Sequence, residues 1–289
     1  ICSKSGHESL SLHYGLSYGC NPDELCDMEL TVYWGFNAAV SAPHFHRLSM
    51  KAQKKGGLIA VVDPRKSETA HSADLWIQVK PGSDAALAYG VMKYFIENDS
   101  VDSHFVDTYT YGFDRLKEEV SSWSRDSIEG YTGVTWNTIR KLAELYCDHS
   151  ENVTMIGIGM QKSLHGAESV RAVSFIPALL GIHRGFYYSN FQGTHVDLPL
   201  ITGERLTSKN YTIVSQVALG KLLEEGEFRL VYIHNMNPAV TLPNQKAVRK
   251  GLLNKNVFVA VHDTHWSETA RCADLVLPAP TFFEKEDVV

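Results

Sequence analysis

The nine-residue segments SETAHSADL (residues 67–75) and SETARCADL (residues 267–275) are nearly identical and lie 200 positions apart. At the same offset, GFNAAVSAP (residues 35–43) corresponds to NMNPAVTLP (residues 235–243). Chance rarely gives two separated blocks one shared offset, so the sequence predicts two copies of a single α/β unit. A duplicated unit suggests a duplicated task, namely two nucleotide moieties held by two similar domains.

Length and composition are those of a soluble protein with two domains. The chain has 289 residues, of which 44% are hydrophobic and 21% are charged, and these values allow two hydrophobic cores. Its net charge of −6 lacks the basic excess with which proteins bind nucleic acid or anionic membranes. No apolar run approaches the roughly 18 residues that span a bilayer. We therefore expect neither a nucleic-acid partner nor a transmembrane segment.

The five cysteines are scattered along the chain and form no C-x-x-C pair. Without such pairs the sequence offers neither a zinc ribbon nor an iron–sulfur cluster, and this scatter favours a reducing compartment over a disulfide scaffold. The cysteines are Cys2, Cys20, Cys26, Cys147 and Cys272. Because the chain starts at Ile1 and stops within FFEKEDVV, we expect it to be a piece of a longer protein.

Both copies read as strands that alternate with helices, with Pro, Gly, Ser and Asp at the element ends. This order favours parallel sheets, so the predicted fold class is α/β: two related Rossmann-like units with mainly parallel sheets flanked by helices. The pattern weakens between about 185 and 215, and we place the boundary near 190, giving domains 1–190 and 191–289. The expected strands are 30–36, 58–62, 75–79, 154–159, 231–235, 257–261 and 275–278. The expected helices are 43–55, 67–73, 83–98, 168–180, 243–251 and a second SETA helix.

Polar and small residues follow the predicted strands, at the edge where open parallel sheets bind their ligands. Small residues there let backbone N–H groups approach a phosphate, and an acid roughly 20 residues past the first turn can accept from a ribose hydroxyl. Asp63 lies 26 residues after Asn37, as Asp263 does after Asn237. The spacing is not that of G-x-G-x-x-G, so ordinary NAD binding is not indicated.

Each of these residues also has a plain structural explanation. Asp63 can start an Asp-Pro turn, although Asp263 lacks the proline, and Asn37 and Asn237 can be turn residues that tolerate positive φ. Asp84 can be a helix N-cap or a first-turn acid. Helix capping explains most of the SET motif. The residues alone leave these alternatives open.

Six longer phrases carry a family resemblance: ICSKSGHESLSLHYG, VYWGFNAAVSAPHF, GLIAVVDPRKSETAHSADLWIQVKPGSDAALA, GIGMQKSLHGAESVRAVSFIPALLGIHRGFYYSN, IHNMNPAVTLPNQKAVRKGL and HDTHWSETARCADLVLPAPTFFEKED. In this order and spacing they resemble the molybdopterin oxidoreductases of the dimethyl-sulfoxide-reductase superfamily. The resemblance covers nearly all of the chain. It implies a bis(molybdopterin guanine dinucleotide) cofactor with molybdenum or tungsten between two α/β domains, which agrees with the independently found repeat.

The resemblance also implies a role for individual residues. Those expected around the phosphates and ribose of one dinucleotide are Gly35, Asn37, Asp63 and Arg65. Gly82 and Asp84 are expected to reach its guanine, where the carboxylate accepts from the ring N–H and amino groups. Those expected to serve the second dinucleotide are Asn235, Asn237, Asp263 and Thr264. Those expected near a pterin are Gly157, Gly159 and Gln161.

Cys2 aligns with the position that supplies the protein ligand to molybdenum or tungsten in many relatives, and a soft thiolate suits that role. We therefore predict Cys2 as catalytic residue and metal ligand. The alternative is a small buried hydrophobic side chain, since Cys is among the most buried residue types. Formate dehydrogenases of this family usually have His where this chain has Ser3, and an Arg in the region of Asn190. The sequence therefore argues against formate oxidation.

The predicted function is two-electron redox chemistry on a small substrate, with the protein holding and tuning its cofactor. An iron–sulfur cluster is expected only in a preceding N-terminal region, with a possible electron-transfer subunit as partner. A closing C-terminal domain is expected after the chain, so this fragment alone is expected to be inactive. The location is expected to be cytoplasmic, with periplasmic export left open. The alternatives are a non-catalytic scaffold related to the large subunit of respiratory NADH dehydrogenase, and a carrier that stores the cofactor.

Overall fold

The computed structural model describes residues 2–189, 197–201, 203–206 and 211–286. The chain divides into two compact units, which we call the first unit (residues 2–197) and the second unit (residues 198–289). The boundary predicted near 190 falls on residues 190–196, which lie outside the described residues, as does Asn190 itself.

The first unit contains a parallel sheet of five described strands in the order β3-β2-β1-β4-β5. Runs rich in Val, Ile and aromatic residues form its centre, because both faces of these strands are covered. β1 is buried along its whole length and pairs with β2 on one side and β4 on the other. The strands are β1 (Leu30–Trp34), β2 (Leu58–Val62), β3 (Leu75–Ile77), β4 (Asn152–Ile156) and β5 (Phe186–Tyr187).

Helices cover both faces of this sheet. Side chains alternate along β1 and β2, so Val32 and Val62 join the larger core under the helical side that includes Leu87, whereas Tyr33 and Val61 join a smaller core on the opposite face. The helices are α1 (Lys4–Tyr14), α2 (Ala38–Ser41), α3 (Pro43–Lys54), α4 (Glu68–His71), α5 (Asp84–Glu97), α6 (Ser103–Tyr109), α7 (Phe113–Ser122), α8 (Arg125–Thr132), α9 (Trp136–Asp148) and α10 (Gly166–Leu179), with 3₁₀ turns at Pro22–Asp27 and Ile158–Lys162.

The second unit repeats the first three strands of this plan in the parallel order β6-β7-β8. The register repeats at the offset of 200: Ala60 pairs with Leu75, and Ala260 pairs with Leu275. The predicted α/β class with parallel sheets flanked by helices is confirmed. The elements are α11 (Leu198–Ile201), α12 (Leu219–Glu225), β6 (Leu230–His234), α13 (Pro238–Thr241), α14 (Gln245–Leu252), β7 (Phe258–Asp263) and β8 (Leu275–Pro278), with 3₁₀ turns at Glu204–Leu206 and Ala270–Cys272.

Several predicted boundaries need correction. β3 ends at Ile77 rather than at residue 79, and the chain then turns to α8, where Lys80 N donates to the Thr132 carbonyl. β4 ends at Ile156, so the glycines of 157–159 lie in a turn and not in a strand. The SETA segment of the second unit forms a 3₁₀ turn instead of an α-helix. The four helices α6 to α9 were not predicted. Among the described residues, no helix has the length and apolar character needed to cross a bilayer.

Candidate functional site

The predicted site residues of the first unit gather at the carboxyl edge of its sheet. Gly35 follows β1, Asp63 follows β2 and Gly157 follows β4. Gly82 approaches the same edge from the turn before α5, because a Cβ at this position would lie 3.9 Å from the Ser163 side chain. Open parallel sheets bind ligands at this edge. The fold therefore brings together residues that are far apart in the sequence.

The two glycines of the 157–159 turn have different structural roles. A Cβ on Gly157 would overlap the carbonyl oxygen of Gly35, whereas a Cβ on Gly159 would meet nothing within 4 Å. Gly157 is held in place because its N–H donates to the Trp34 carbonyl at 2.8 Å. Gly157 thus allows β1 and β4 to approach each other, and Gly159 leaves open backbone at the site.

Asp84 is tied to the last residue of β1. Its Oδ1 accepts a hydrogen bond from Trp34 Nε1 at 2.8 Å. Burial raises the pKa of Asp84, and the Trp34 hydrogen bond opposes this effect. Asp84 is the first residue of α5, after the N-cap Ser83, so it is a first-turn acid as well. A first-turn position alone does not explain why the Asp84 carboxylate accepts a hydrogen bond from the buried Trp34 indole.

An asparagine links each β–α turn to the SET segment, and the link is the same in both units. Asn37 Oδ1 accepts from the backbone N–H of Thr69 at 3.2 Å and from its hydroxyl at 3.0 Å. The corresponding distances from Asn237 Oδ1 to Thr269 are 3.2 and 2.6 Å. The threonine hydroxyl in turn accepts from the N–H of Ala39 or Ala239.

The alternative that the two asparagines are positive-φ turn residues is wrong. Asn37 has φ of −84° and Asn237 has φ of −113°. The left-handed residues are two positions earlier, Gly35 at +60° and Asn235 at +51°. Gly and Asn are the residue types that adopt this conformation most readily. Positions 35 and 235 therefore have the same left-handed backbone conformation although their residues differ.

Replacing Asn37 with alanine should destabilise the first unit by about 1–3 kcal/mol, because the buried Thr69 N–H and hydroxyl lose their shared acceptor. Thermal and urea unfolding of the full-length protein would measure the loss. Asn137→Ala is a suitable control, since the Asn137 side chain bonds only the exposed Arg140 among the described contacts. An unchanged midpoint for Asn37→Ala would show that the link adds no stability.

Asp63, Arg65 and Glu68 form a polar group beside Asn37. Asp63 Oδ1 accepts from the Arg65 N–H at 2.8 Å, which is an Asx turn. The Arg65 guanidinium bonds Glu68 at 3.1 Å, and Asn37 Nδ2 donates to the same carboxylate oxygen at 2.7 Å. Together with a bond from its own backbone N–H, these contacts lower the pKa of Glu68 to about 2. The turn explanation for Asp63 thus describes a real contact, and Glu68 is a member of the group that sequence reasoning missed.

Asp263 occupies the matching place in the second unit with different partners. Its Oδ2 accepts from the Ser267 hydroxyl at 2.6 Å and its Oδ1 from the Thr264 N–H at 2.8 Å. The Ser267 bond is the main reason that the pKa of Asp263 is lowered. Asp263, Thr264 and the exposed Trp266 line a cavity of about 490 Å³.

The repeat explains why this cavity is open in the second unit. In the first unit, Trp76 donates from its indole to the Asp63 carbonyl, and Lys66 Nζ lies 5.6 Å from the ring. In the second unit Val276 stands where the first has Trp76, and Trp266 stands where it has Lys66. The smaller side chain leaves space beneath the loop, and Trp266 adds an aromatic wall that the sequence analysis did not single out.

Cys2 lies just before α1 and its side chain is exposed. The alternative of a buried hydrophobic cysteine is therefore wrong. The Cys2 carbonyl accepts from Gln161 Nε2 and from Lys162 Nζ, the latter at 2.6 Å. The other end of the Gln161 amide, Oε1, accepts from the Gly6 N–H at 2.7 Å. Because Gln161 lies in the turn after β4, these bonds place Cys2 at the same sheet edge as the glycines.

Tyr188 closes this side of the edge and was not predicted. It follows β5, is 2% exposed, and its hydroxyl has no partner within the part of the chain that the structure describes. A Cβ on Gly6 would overlap that hydroxyl, and the His7 ring meets the Tyr188 ring edge-on at 5.1 Å. Burial raises the pKa of Tyr188. Nothing in the local sequence pattern marks this residue, because its contacts with Gly6 and His7 join distant parts of the chain.

Comparisons with known proteins agree with this architecture. The family model described as molybdopterin oxidoreductase matches residues 8–289. Two probable oxidoreductases of Bacillus subtilis (strain 168) are similar: YoaE is 34% identical over 99% of this chain and 43% of its own length, and YyaE is 31% identical over 100% and 44%. The chain thus spans less than half the length of these relatives. The structure of acetylene hydratase from Pelobacter acetylenicus superposes with a TM-score of 0.74 at 20% identity, over 95% of this chain and 43% of that one, and shows the same fold.

Proposed function

The chain belongs to the molybdopterin oxidoreductase family, and we propose that it holds a bis(molybdopterin guanine dinucleotide) cofactor in a molybdenum or tungsten enzyme. The enzyme would carry out two-electron redox chemistry on a small substrate. The observation that carries the proposal is the duplicated sheet edge. Each unit places an asparagine and an aspartate, 26 residues apart, after its first two strands, and each asparagine makes the same bonds to a threonine.

The first edge suits a guanine dinucleotide in its chemistry. Gly35 and Gly159 leave backbone accessible to a phosphate or a pterin, and Arg65 supplies a cation beside the Asp63 turn. Asp84 is oriented by its hydrogen bond from Trp34 and follows the Gly82 turn. Its carboxylate would accept from the guanine ring N–H and amino groups. Gly157 and Gln161 would act on the pterin side through the turn that they shape.

The second edge would take the second dinucleotide. Asp263 and Thr264 line the cavity there, with Trp266 as a flat apolar wall. Asn235 and Asn237 shape the turn after β6, one by its left-handed backbone and the other by its bond to Thr269. An aromatic wall can stack on a planar base, and a carboxylate beside it can accept hydrogen bonds from the N–H groups of that base.

Cys2 would ligate the metal, and the bound group would supply the change of oxidation state that moves two electrons. The protein's part is to hold the thiolate, the phosphates and the bases in fixed positions. An iron–sulfur cluster in a region outside this chain, or a partner subunit, would carry the electrons away. We expect a cytoplasmic location unless a leader segment directs export.

The first experiment is to measure metal and nucleotide in the full-length protein purified from cells supplied with molybdate and tungstate. Two GMP released by acid hydrolysis per molybdenum or tungsten would support the proposal. GMP without metal would favour a cofactor carrier. Neither GMP nor metal would overturn the proposal in favour of a scaffold like the large subunit of respiratory NADH dehydrogenase.

Asp84→Asn should weaken guanine nucleotide binding by about tenfold to a hundredfold, because the negative charge is lost and one accepting oxygen becomes an N–H donor. The same change should stabilise the cofactor-free protein at pH 7. A raised folded pKa means that the ionised carboxylate costs stability above that pKa, and the cost disappears as the pH falls through it. The stability advantage of the variant should therefore shrink on acidification.

GMP content and the unfolding temperature across pH would test both parts. Asp126→Asn is the matched control, since Asp126 is an exposed first-turn acid of α8 and should show neither effect. If Asp84→Asn behaved like the control, Asp84 would be a helix first-turn acid and nothing more.

A further inference from the structure

We propose that Gln161 is the positioning residue for the Cys2 thiolate, acting from the turn after β4 through both ends of its amide. The proposal rests on the assignment of Cys2 as metal ligand, and it adds what holds that ligand in place. Gln161 is 7% exposed, and its side chain spans the first turn of α1 from the Cys2 carbonyl to the Gly6 N–H.

The first turn of α1 needs an outside partner. The opening N–H groups of a helix have no acceptor within it, and the N-cap Ser3 makes no side-chain capping bond. Gln161 Oε1 supplies the acceptor for Gly6, the third residue of the helix, from 155 positions away in the chain. A glutamine from another element thus replaces the local cap.

Gln161 is itself held rigidly. A Cβ on Gly166, at the start of α10, would overlap the Gln161 backbone, so the helix packs directly against it. Tyr188 packs against Gly6 in the same way, since a Cβ on Gly6 would overlap its hydroxyl. The turn that carries Cys2 is therefore held between a buried amide and a buried aromatic ring, and Lys162 adds a second, exposed donor to the Cys2 carbonyl.

None of these hydrogen bonds uses the Cys2 sulfur, so the arrangement fixes the backbone without occupying the thiol. Both polar ends of the Gln161 side chain are engaged by main-chain groups, so its effect on a bound metal would pass through Cys2. Ligands that are oriented by neighbouring hydrogen bonds bind and tune metals better than unrestrained ones. We call the two hydrogen bonds that join Gln161 to Cys2 and Gly6 the Gln161 clamp. Losing this clamp should leave the thiol present but mobile.

The test is amide hydrogen exchange of the full-length, cofactor-free protein, with Gln161→Glu as the main variant. The glutamate carboxylate can still accept from the Gly6 N–H, but it has no N–H group to donate to the Cys2 carbonyl. Exchange in residues 2–8 should accelerate by about tenfold, the effect of one or two lost hydrogen bonds. Gln245→Glu is the matched control, because Gln245 Nε2 also donates to a backbone carbonyl but lies exposed in the second unit, and it should leave residues 2–8 unchanged.

The wild-type protein provides a check that needs no variant. The Gly6 amide should exchange much more slowly than those of Lys4 and Ser5, for which the described residues provide no acceptor. Equal exchange of the three amides, or unchanged exchange in Gln161→Glu, would overturn the proposal. In the metal-loaded enzyme, X-ray absorption should show about one sulfur ligand fewer, or a more disordered one, in Gln161→Glu. If the protein bound no metal, the proposed function would be overturned. The exchange result would still decide whether the Gln161 clamp exists.

Discussion

Gly157→Ala should destabilise the protein by more than about 3 kcal/mol, because the added methyl group has no room and overpacking of a rigid site is among the costliest core changes. The atom that it would overlap is the backbone oxygen of Gly35. That oxygen cannot move away easily, since Gly35 N donates to the Val62 carbonyl and Gly157 N to the Trp34 carbonyl, each at 2.8 Å. Moving the segments at Gly35 and Gly157 apart would break the hydrogen bonds between β1 and its neighbouring strands.

Gly159→Ala is a control within the same motif. Its added methyl group meets open space, so the expected change is within about 1 kcal/mol and can be slightly stabilising. Thermal unfolding and limited proteolysis of the full-length proteins would compare the two. If Gly159→Ala were the damaging change and Gly157→Ala were tolerated, the close approach of β1 and β4 would be wrong.

Cys2→Ala should reduce turnover of the full-length enzyme by more than about a hundredfold, since even the residues that orient a metal ligand are worth ten- to a hundredfold. Stability should barely change, within about 0.5 kcal/mol, because the side chain is exposed. Metal content, sulfur coordination by X-ray absorption, and turnover with a viologen dye and the best substrate from a screen would measure the loss.

Cys147→Ser tests whether any exposed thiol has this effect. Cys147 is exposed near the end of α9, before β4 begins, whereas the site residues follow the carboxyl ends of the strands, and its replacement should leave turnover unchanged. Full activity of Cys2→Ala would remove the metal-ligand assignment and revive the carrier function. A loss of stability equal to the loss of activity would instead make Cys2 a structural residue.

The repeat allowed the sequence to predict most of the fold. An offset shared by apolar runs and by Asp63 and Asp263 predicted two related parallel sheets, and the strand registers repeat at that offset. Helices α6 to α9 were not anticipated because the repeated blocks, residues 35–43 and 67–75, do not extend to residues 103–148. The end of β3 was overestimated because the turn toward α8 depends on a bond from Lys80 to Thr132, which no local pattern records.

The contacts within the site were harder to foresee. The bond between Asn37 and Thr69 had a signal, since both residues are repeated at 237 and 269, but each also had a local explanation, as a turn residue and as part of a capping motif. Gln161 was expected near a pterin, yet its partners are residues 2 and 6, and a bond across 155 positions leaves no periodic trace. The Trp34–Asp84 and Tyr188–Gly6 contacts are likewise tertiary.

The central position of β1 has a consequence for how the protein is made. β1 ends at Trp34, whereas its neighbour β4 ends at Ile156, roughly 120 residues later. At about 5–20 residues per second of synthesis, one side of the central strand waits roughly 6–24 s on the ribosome before its partner emerges. During that interval an apolar strand has an open backbone edge, which is the condition under which nascent chains aggregate. Slower translation should therefore prolong the exposure of this edge and lower the yield of folded protein.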